Sequence, residues 1–111
     1  MNIFVSYTTR NNEVTVASLI NFSNKINSFG TIFIDLIDNN SQDKQGRIIE
    51  ELKKTDLLIL IESKSTYNSE WVNFELETAK QLNIPVIEFD IVKIDYLSEE
   101  EIGRKINNAN K

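Results

Sequence analysis

One carboxylate stands out as a candidate for chemistry. Ser69-Glu70-Trp71 opens a stretch that continues Val72-Asn73-Phe74-Glu75-Leu76. Ser69 is a good N-cap and Glu70 places an anion in the first turn, so a helix is expected from there to about residue 82. On that helix Trp71 and Glu75 are four apart and neighbours on one face, while Val72, Leu76 and Ala79 share the face that packs inward. A carboxylate one turn into a helix, beside an indole, could touch a sugar or a base. Spacing alone favours a plainer alternative, in which Trp71 is a core or rim aromatic and Glu75 a solvated helix residue.

Composition narrows the chemistry from the other side. The chain has 111 residues, no His and no Cys. That removes Ser-His and Cys-His nucleophile systems, an imidazole base and any Cys/His zinc site. No metal site is expected. Catalysis would have to use carboxylates, hydroxyls, amines or backbone dipoles. The net charge is −5 and the pI about 4.7. Such a surface repels phosphate backbones, and no stripe of Lys and Arg offsets it, so nucleic acid is not an expected partner.

Apolar residues make up 41% and charged residues 26%, as in an ordinary globular protein. The length fits one domain, residues 1–111. The longest apolar runs are strand-sized, far short of the ~20 residues that span a bilayer, so no membrane partner is expected. Met1-Asn2-Ile3-Phe4-Val5 has no basic region and no small-residue cleavage site. A cytoplasmic location is expected.

The elements that must position Glu75 can be read in order. Ile3-Phe4-Val5-Ser6-Tyr7 reads as a buried strand, followed by a polar loop over residues 8–12 with several possible N-caps. Residues 13–29 carry Val16, Leu19, Ile20, Phe22, Ile26 and Phe29 at helical spacing, and Gly30 stops them. Thr31-Ile32-Phe33-Ile34-Asp35 is a second strand. A polar loop over 37–45 leads to a short helix at 46–54. Leu57-Leu58-Ile59-Leu60-Ile61 lacks alternation, which suits a central strand covered on both faces. Asn83-Ile84-Pro85 ends the Trp71 helix before Val86-Ile87-Glu88-Phe89, a fourth strand. Residues 91–95 read either as a fifth, edge strand or as connection. Ser98 with Glu101 has capping-box spacing, and Leu97 with Ile102 staple spacing, for a last helix.

Alternating strands and helices imply an α/β fold: a flavodoxin-like parallel sheet of four to five strands with helices on both faces. In such sheets ligands bind beyond the carboxyl ends of the strands, where strand order reverses. The loops at 7–12, 36–45 and 62–68 are therefore the ones expected to matter.

The order and spacing of these segments resemble a Toll/interleukin-1 receptor (TIR) domain over residues 3–89. The strand with Ser6-Tyr7, Gly30-Thr31-Ile32-Phe33-Ile34-Asp35, Gly46-Arg47-Ile48-Ile49, the 57–61 strand with Glu62-Ser63 after it, and Ile84-Pro85-Val86-Ile87 all take part. Tyr67-Asn68-Ser69-Glu70-Trp71-Val72-Asn73-Phe74-Glu75-Leu76 is the most specific piece. The loop at 36–45 lacks the Pro-Gly pair of many receptor-type members, and the chain after about residue 90 is short.

The resemblance implies more than the residues do alone. Many TIR domains cleave NAD at the bond between nicotinamide and ribose, and by that likeness Glu75 would be the catalytic residue. Trp71 would line the nicotinamide end, Tyr7 and Arg10 would contact the nucleotide, and Ser63 would line the site. NAD is then a substrate, and no cofactor is called for. The products would be nicotinamide and ADP-ribose, or a cyclised or modified ADP-ribose signal. A TIR domain of this size is similar to the signal-making subunits of Thoeris-type anti-phage systems, where the signal reaches a separate effector. Such enzymes complete their site between subunits, which makes self-association an expectation, and Phe74, set off the inward face, is either part of an assembly patch or packed on a neighbouring element. Two other readings stand beside this one: a non-catalytic TIR-like adaptor, and a nucleoside deoxyribosyltransferase-like enzyme.

Overall fold

The computed structural model describes residues 1–8, 14–35, 42–64 and 66–109. Among them, four strands form one parallel sheet in the order β2-β1-β3-β4: β1 (Asn2–Ser6), β2 (Thr31–Ile34), β3 (Leu57–Glu62) and β4 (Val86–Asp90). Among the described residues the α-helices that cross between or follow them are α1 (Val16–Ile26), α2 (Lys44–Lys54), α3 (Glu70–Gln81) and α4 (Glu99–Ala109). Every strand pair is parallel, with Val5 opposite Ile34 and Ile59, and Ser6 opposite Leu60. The expected α/β architecture with helices on both faces is what the chain adopts.

Strand alternation divides the core in two. Ile3 and Val5, with Leu57, Ile59 and Ile61, face the layer of α1 and α4. Phe4, with Leu58 and Leu60, faces the layer of α2 and α3. This is why the β3 sequence shows no alternation: each of its faces meets a helix layer, and Leu57 to Ile61 are all fully buried. Each such side chain contributes about 1.5–3 kcal/mol by burial. β4 differs, for only Ile87 and Phe89 turn inward while Val86, Glu88 and Asp90 are exposed.

Helix ends follow local chemistry. α1 begins later than its apolar spacing suggests, because Thr15 is the cap: its hydroxyl accepts from the Ser18 amide, and the Ser18 hydroxyl accepts from the Thr15 amide. Val16 and Ile20 consequently face solvent, whereas Leu19, Phe22 and Ile26 are buried. α2 starts two residues before the expected Gly46, capped by Asp43, whose carboxylate accepts from the Gly46 amide. At the other end of α3, Asn83 adopts φ 59°, the left-handed conformation that Asn tolerates. The amides of Asn83 and Ile84 then bond the carbonyls of Lys80 and Ala79, and the Ile84 side chain packs on the α2–α3 core.

Residues 91–95 do not form a fifth strand. The Asp90 carboxylate accepts from the Val92 amide, and the Lys93 amide bonds the Asp90 carbonyl. That turn feeds a 3-10 helix, Ile94–Tyr96, which buries Ile94. Ser98 caps α4 by accepting from the Glu101 amide, while its own hydroxyl donates to the Glu101 carboxylate, so only half of the expected box is made. Gly103 allows α4 to lie close to Phe29, since a β-carbon there would stand 2.7 Å from the ring. Among the described residues no helix is long and apolar enough to cross a membrane.

Candidate active site

Strand order reverses between β1 and β3, so the crevice beyond their carboxyl ends is where a ligand is expected. Alternation along β1 turns Phe4 and Ser6 toward the α2–α3 layer. A second apolar residue would be the ordinary choice at position 6. Instead Ser6 is fully buried, and its hydroxyl donates to Glu75 Oε1 at 2.8 Å.

Glu75 comes from the second turn of α3. Val72, Glu75 and Ala79 form the buried stripe of that helix, with Leu76 half-buried beside it. The wheel expected Glu75 on an adjoining face with Trp71; the helix is rotated so that the carboxylate points inward. Glu75 is 2% exposed, which overturns its reading as a solvated helix residue. Burial pushes its carboxyl up to about 8, the Ser6 hydroxyl pulls it down, and the negative charge of Asp35 at the end of β2 pushes it up again. The start of α3 near this edge is tied by two hydrogen bonds. Ser69 accepts from the Val72 amide, and Asn73 donates to the Tyr67 carbonyl.

The neighbouring carboxyl ends of β3 and β4 are acidic. Hydrogen bonding to Glu88, then burial, then the charges of Glu88 and Asp90 raise the Glu62 carboxyl. Among the described residues one cavity of about 460 Å³ lies at the amino ends of β1 and β2 beside Arg47 and Lys54, and another of similar size lies along β4 beside Lys93 and Lys105; neither is lined by Glu75. Among the described residues no cluster of Asp and Glu is arranged to hold a metal ion.

A buried carboxylate delivered by the helix after β3 to the end of β1, in a 2-1-3-4 parallel sheet, meets the comparison with known families. A family model described as the TIR-like domain of the Thoeris protein ThsB matches residues 4–99. The chain belongs to the ThsB TIR-like family. The match runs from within β1 to the first residue of α4 and so includes β2, β3, β4, Ser6 and Glu75. No curated protein matches the chain.

Within this TIR-like frame the other expected site residues fall in different places. Tyr7 follows β1, but alternation sends its ring to the opposite face from Glu75, against the α1–α4 core. Arg10 lies outside the described residues. Ser63 sits in the turn after β3, where the Thr66 hydroxyl accepts from its amide at 2.6 Å; it lines a 300 Å³ cleft with Glu62, Lys64, Asp90 and Val92. Trp71 is 36% exposed and packs beside Phe74, with ring centroids 6.0 Å apart and the rings tilted by 33°. Phe74 in turn is half-buried and packs against the α2–α3 core.

Ser6 is the residue that sequence reasoning missed. Its signal was present: a hydroxyl at an inward position of an otherwise apolar strand, which burial obliges to find a partner.

Proposed function

We propose that this chain cleaves NAD between nicotinamide and ribose, with Glu75 as the catalytic carboxylate, and that it makes an ADP-ribose-type signal in anti-phage defence. The single observation that carries the reading is a buried carboxylate at the ligand edge of a ThsB-type TIR-like domain. The chemistry suits a protein without His or Cys. Nicotinamide leaves neutral from a cationic pyridinium, taking the electron pair of the C1′–N1 bond, so no strong acid is needed. The demand is to stabilise an oxocarbenium-like ribose, as glycosidase carboxylates do. Ionised Glu75 would supply that charge and accept from a ribose hydroxyl. Water then adds to C1′ and gives up a proton to Glu75, or a group of the same nucleotide attacks and closes a ring.

Glu75 favours its neutral form near pH 7 in the free protein. A pyridinium within about 4–6 Å would reverse that preference, because an opposite charge favours the carboxylate. In this reading Trp71 lines the nicotinamide end. The diphosphate lies away from the acidic ends of β3 and β4, toward the first loop with Tyr7 and Arg10, and Ser63 borders the cleft. The whole chain, residues 1–111, acts as one domain in the cytoplasm. It works with further copies of itself and signals to a separate effector.

A second reading is favoured by one observation: a carboxylate only 2% exposed is also what a non-catalytic adaptor could keep as a buried polar contact. Incubating concentrated protein with NAD and following nicotinamide by chromatography separates the two. Release that disappears in Glu75→Ala supports the proposal. Release that survives the substitution removes Glu75 from the role. No release at high concentration, with or without crowding agents, favours the adaptor; nucleobase exchange in place of hydrolysis favours the deoxyribosyltransferase-like reading.

A further inference from the structure

We infer that Ser6 is the positioning residue of Glu75: its hydroxyl fixes one carboxyl oxygen at the end of β1 and holds the side chain ready to ionise. The inference rests on the NAD-cleaving reading for its catalytic consequence, and on geometry alone for the contact itself.

Three observations converge on it. Ser6 and Glu75 are both buried, and each is the other's hydrogen-bond partner across 69 positions of sequence. The surroundings are apolar: Phe4 precedes on the same strand face, Leu60 stands opposite on β3, and Val72 and Ala79 flank Glu75 on α3. An apolar pair of similar volume would serve stability at least as well there, because burying a carboxyl and a hydroxyl is repaid only by their mutual contact. Packing alone therefore does not account for the pair, which stands at the carboxyl edge of the sheet where a ligand is expected.

The geometry also divides the work of the two oxygens. Ser6 holds Oε1, which leaves Oε2 as the oxygen for a ribose hydroxyl or the cationic carbon. A glutamate has three side-chain torsions, and burial with one fixed oxygen removes most of that freedom before substrate arrives. The hydroxyl also favours the charged carboxylate, because it donates to it. Opposing it are burial and Asp35 at the end of β2; among the described residues no cation from β1, β2, β3 or α2 assists. Ser6 is thus the one described group that favours ionisation.

The test compares wild type and Ser6→Ala in the full chain, both checked for folding by thermal melts. Wild-type kcat/KM should rise with pH through the Glu75 titration. In Ser6→Ala that limb should move to higher pH by on the order of one unit, and kcat should fall about ten- to a hundred-fold with KM little changed. A merely structural role would lower the melting temperature without moving the limb. An unmoved limb with unchanged kcat in folded Ser6→Ala overturns the inference. Carbon-13 NMR of the Glu75 carboxyl, assigned with Glu75→Gln, separates this from failure of the parent reading. If wild type releases no nicotinamide, the NAD reading falls, while an upward-shifted Glu75 titration in Ser6→Ala still upholds the contact. The same titration in both proteins overturns it whatever the activity.

Discussion

Lys105 of α4 donates to the backbone carbonyl of Glu88, on the outer edge of β4, and its charge stands 4.5 Å above the Phe89 ring. The inward-facing backbone groups of the β4 segment belong to odd positions: the Pro85 carbonyl bonds Leu58, and the Ile91 amide bonds Glu62. Glu88 and Asp90 therefore present theirs outward. The first carbonyl is taken by Lys105 and the second by the Lys93 amide. A sheet edge guarded in this way resists pairing with another chain. Replacing Lys105 by Ala should expose it and cost about 1 kcal/mol through the lost cation–π contact. Sedimentation velocity should then show association that grows with concentration; identical profiles for the two proteins would refute the guarding role.

Glu75→Gln should abolish nicotinamide release and yet stabilise the fold at high pH. The sign follows from the raised carboxyl. Its folded-state value of about 8 lies above the usual 4.5, so the folded protein binds the proton more tightly than the unfolded chain. Its contribution is fully present below about pH 4.5 and is lost as pH rises through about 8. The loss is on the order of a few kcal/mol. Gln is neutral at every pH, so the variant should melt at least several degrees above wild type at pH 9. Parallel melting curves across pH 5–9 would show that Glu75 is not held neutral.

The end of α3 offers a backbone test. Asn83→Gly should leave stability nearly unchanged, since Gly accepts the left-handed conformation that Asn83 holds. Asn83→Val should cost roughly 1–2 kcal/mol, because a β-branched residue is strained there. Denaturant midpoints of the two variants measure the difference; equal midpoints would mean that the turn relaxes.

Gly103→Ala tests the contact between α4 and the segment after α1. The added methyl would meet the Phe29 ring at 2.7 Å. Overpacking of this kind costs about 1–3 kcal/mol, more than the helix gains from Ala. Phe29→Leu should recover part of the loss in the double variant, and calorimetry reads it. Simple additivity of the two substitutions would place the strain elsewhere.

Most of the fold was legible because periodicity reports burial. The β3 run without alternation suited a strand covered twice, as it is, and Asn83-Ile84-Pro85 marked the end of α3 in its own backbone chemistry. The start of α1 was less legible. Thr15 and Ser18 cap each other without the acidic partner that usually signals a box, so Val16 counted as core when it is solvated. Residues 91–95 were ambiguous because Ile91 and Ile94 are both buried, yet the Asp90 side chain, not strand pairing, fixes the turn between them.

The site was legible in its carboxylate and not in its surroundings. A helical wheel gives the angle between Trp71 and Glu75 but not which of them faces the sheet. Tyr7 stood beside the right strand end, but the face its ring takes depends on register, which the family pattern does not carry. Ser6 showed only that a buried hydroxyl needs a partner, not which residue supplies it. Only the tertiary contact shows what it is for.

That contact also orders events in time. Ser6 leaves the ribosome with the first strand, and its partner follows 69 residues later. β3 must be made in between, since it pairs with β1 and delivers α3 to it. A nascent chain, or one cut short before α3, has the Ser6 hydroxyl without the Glu75 carboxyl that it binds. For a protein proposed to consume NAD, the centre is thus withheld until synthesis has passed β3 and reached α3.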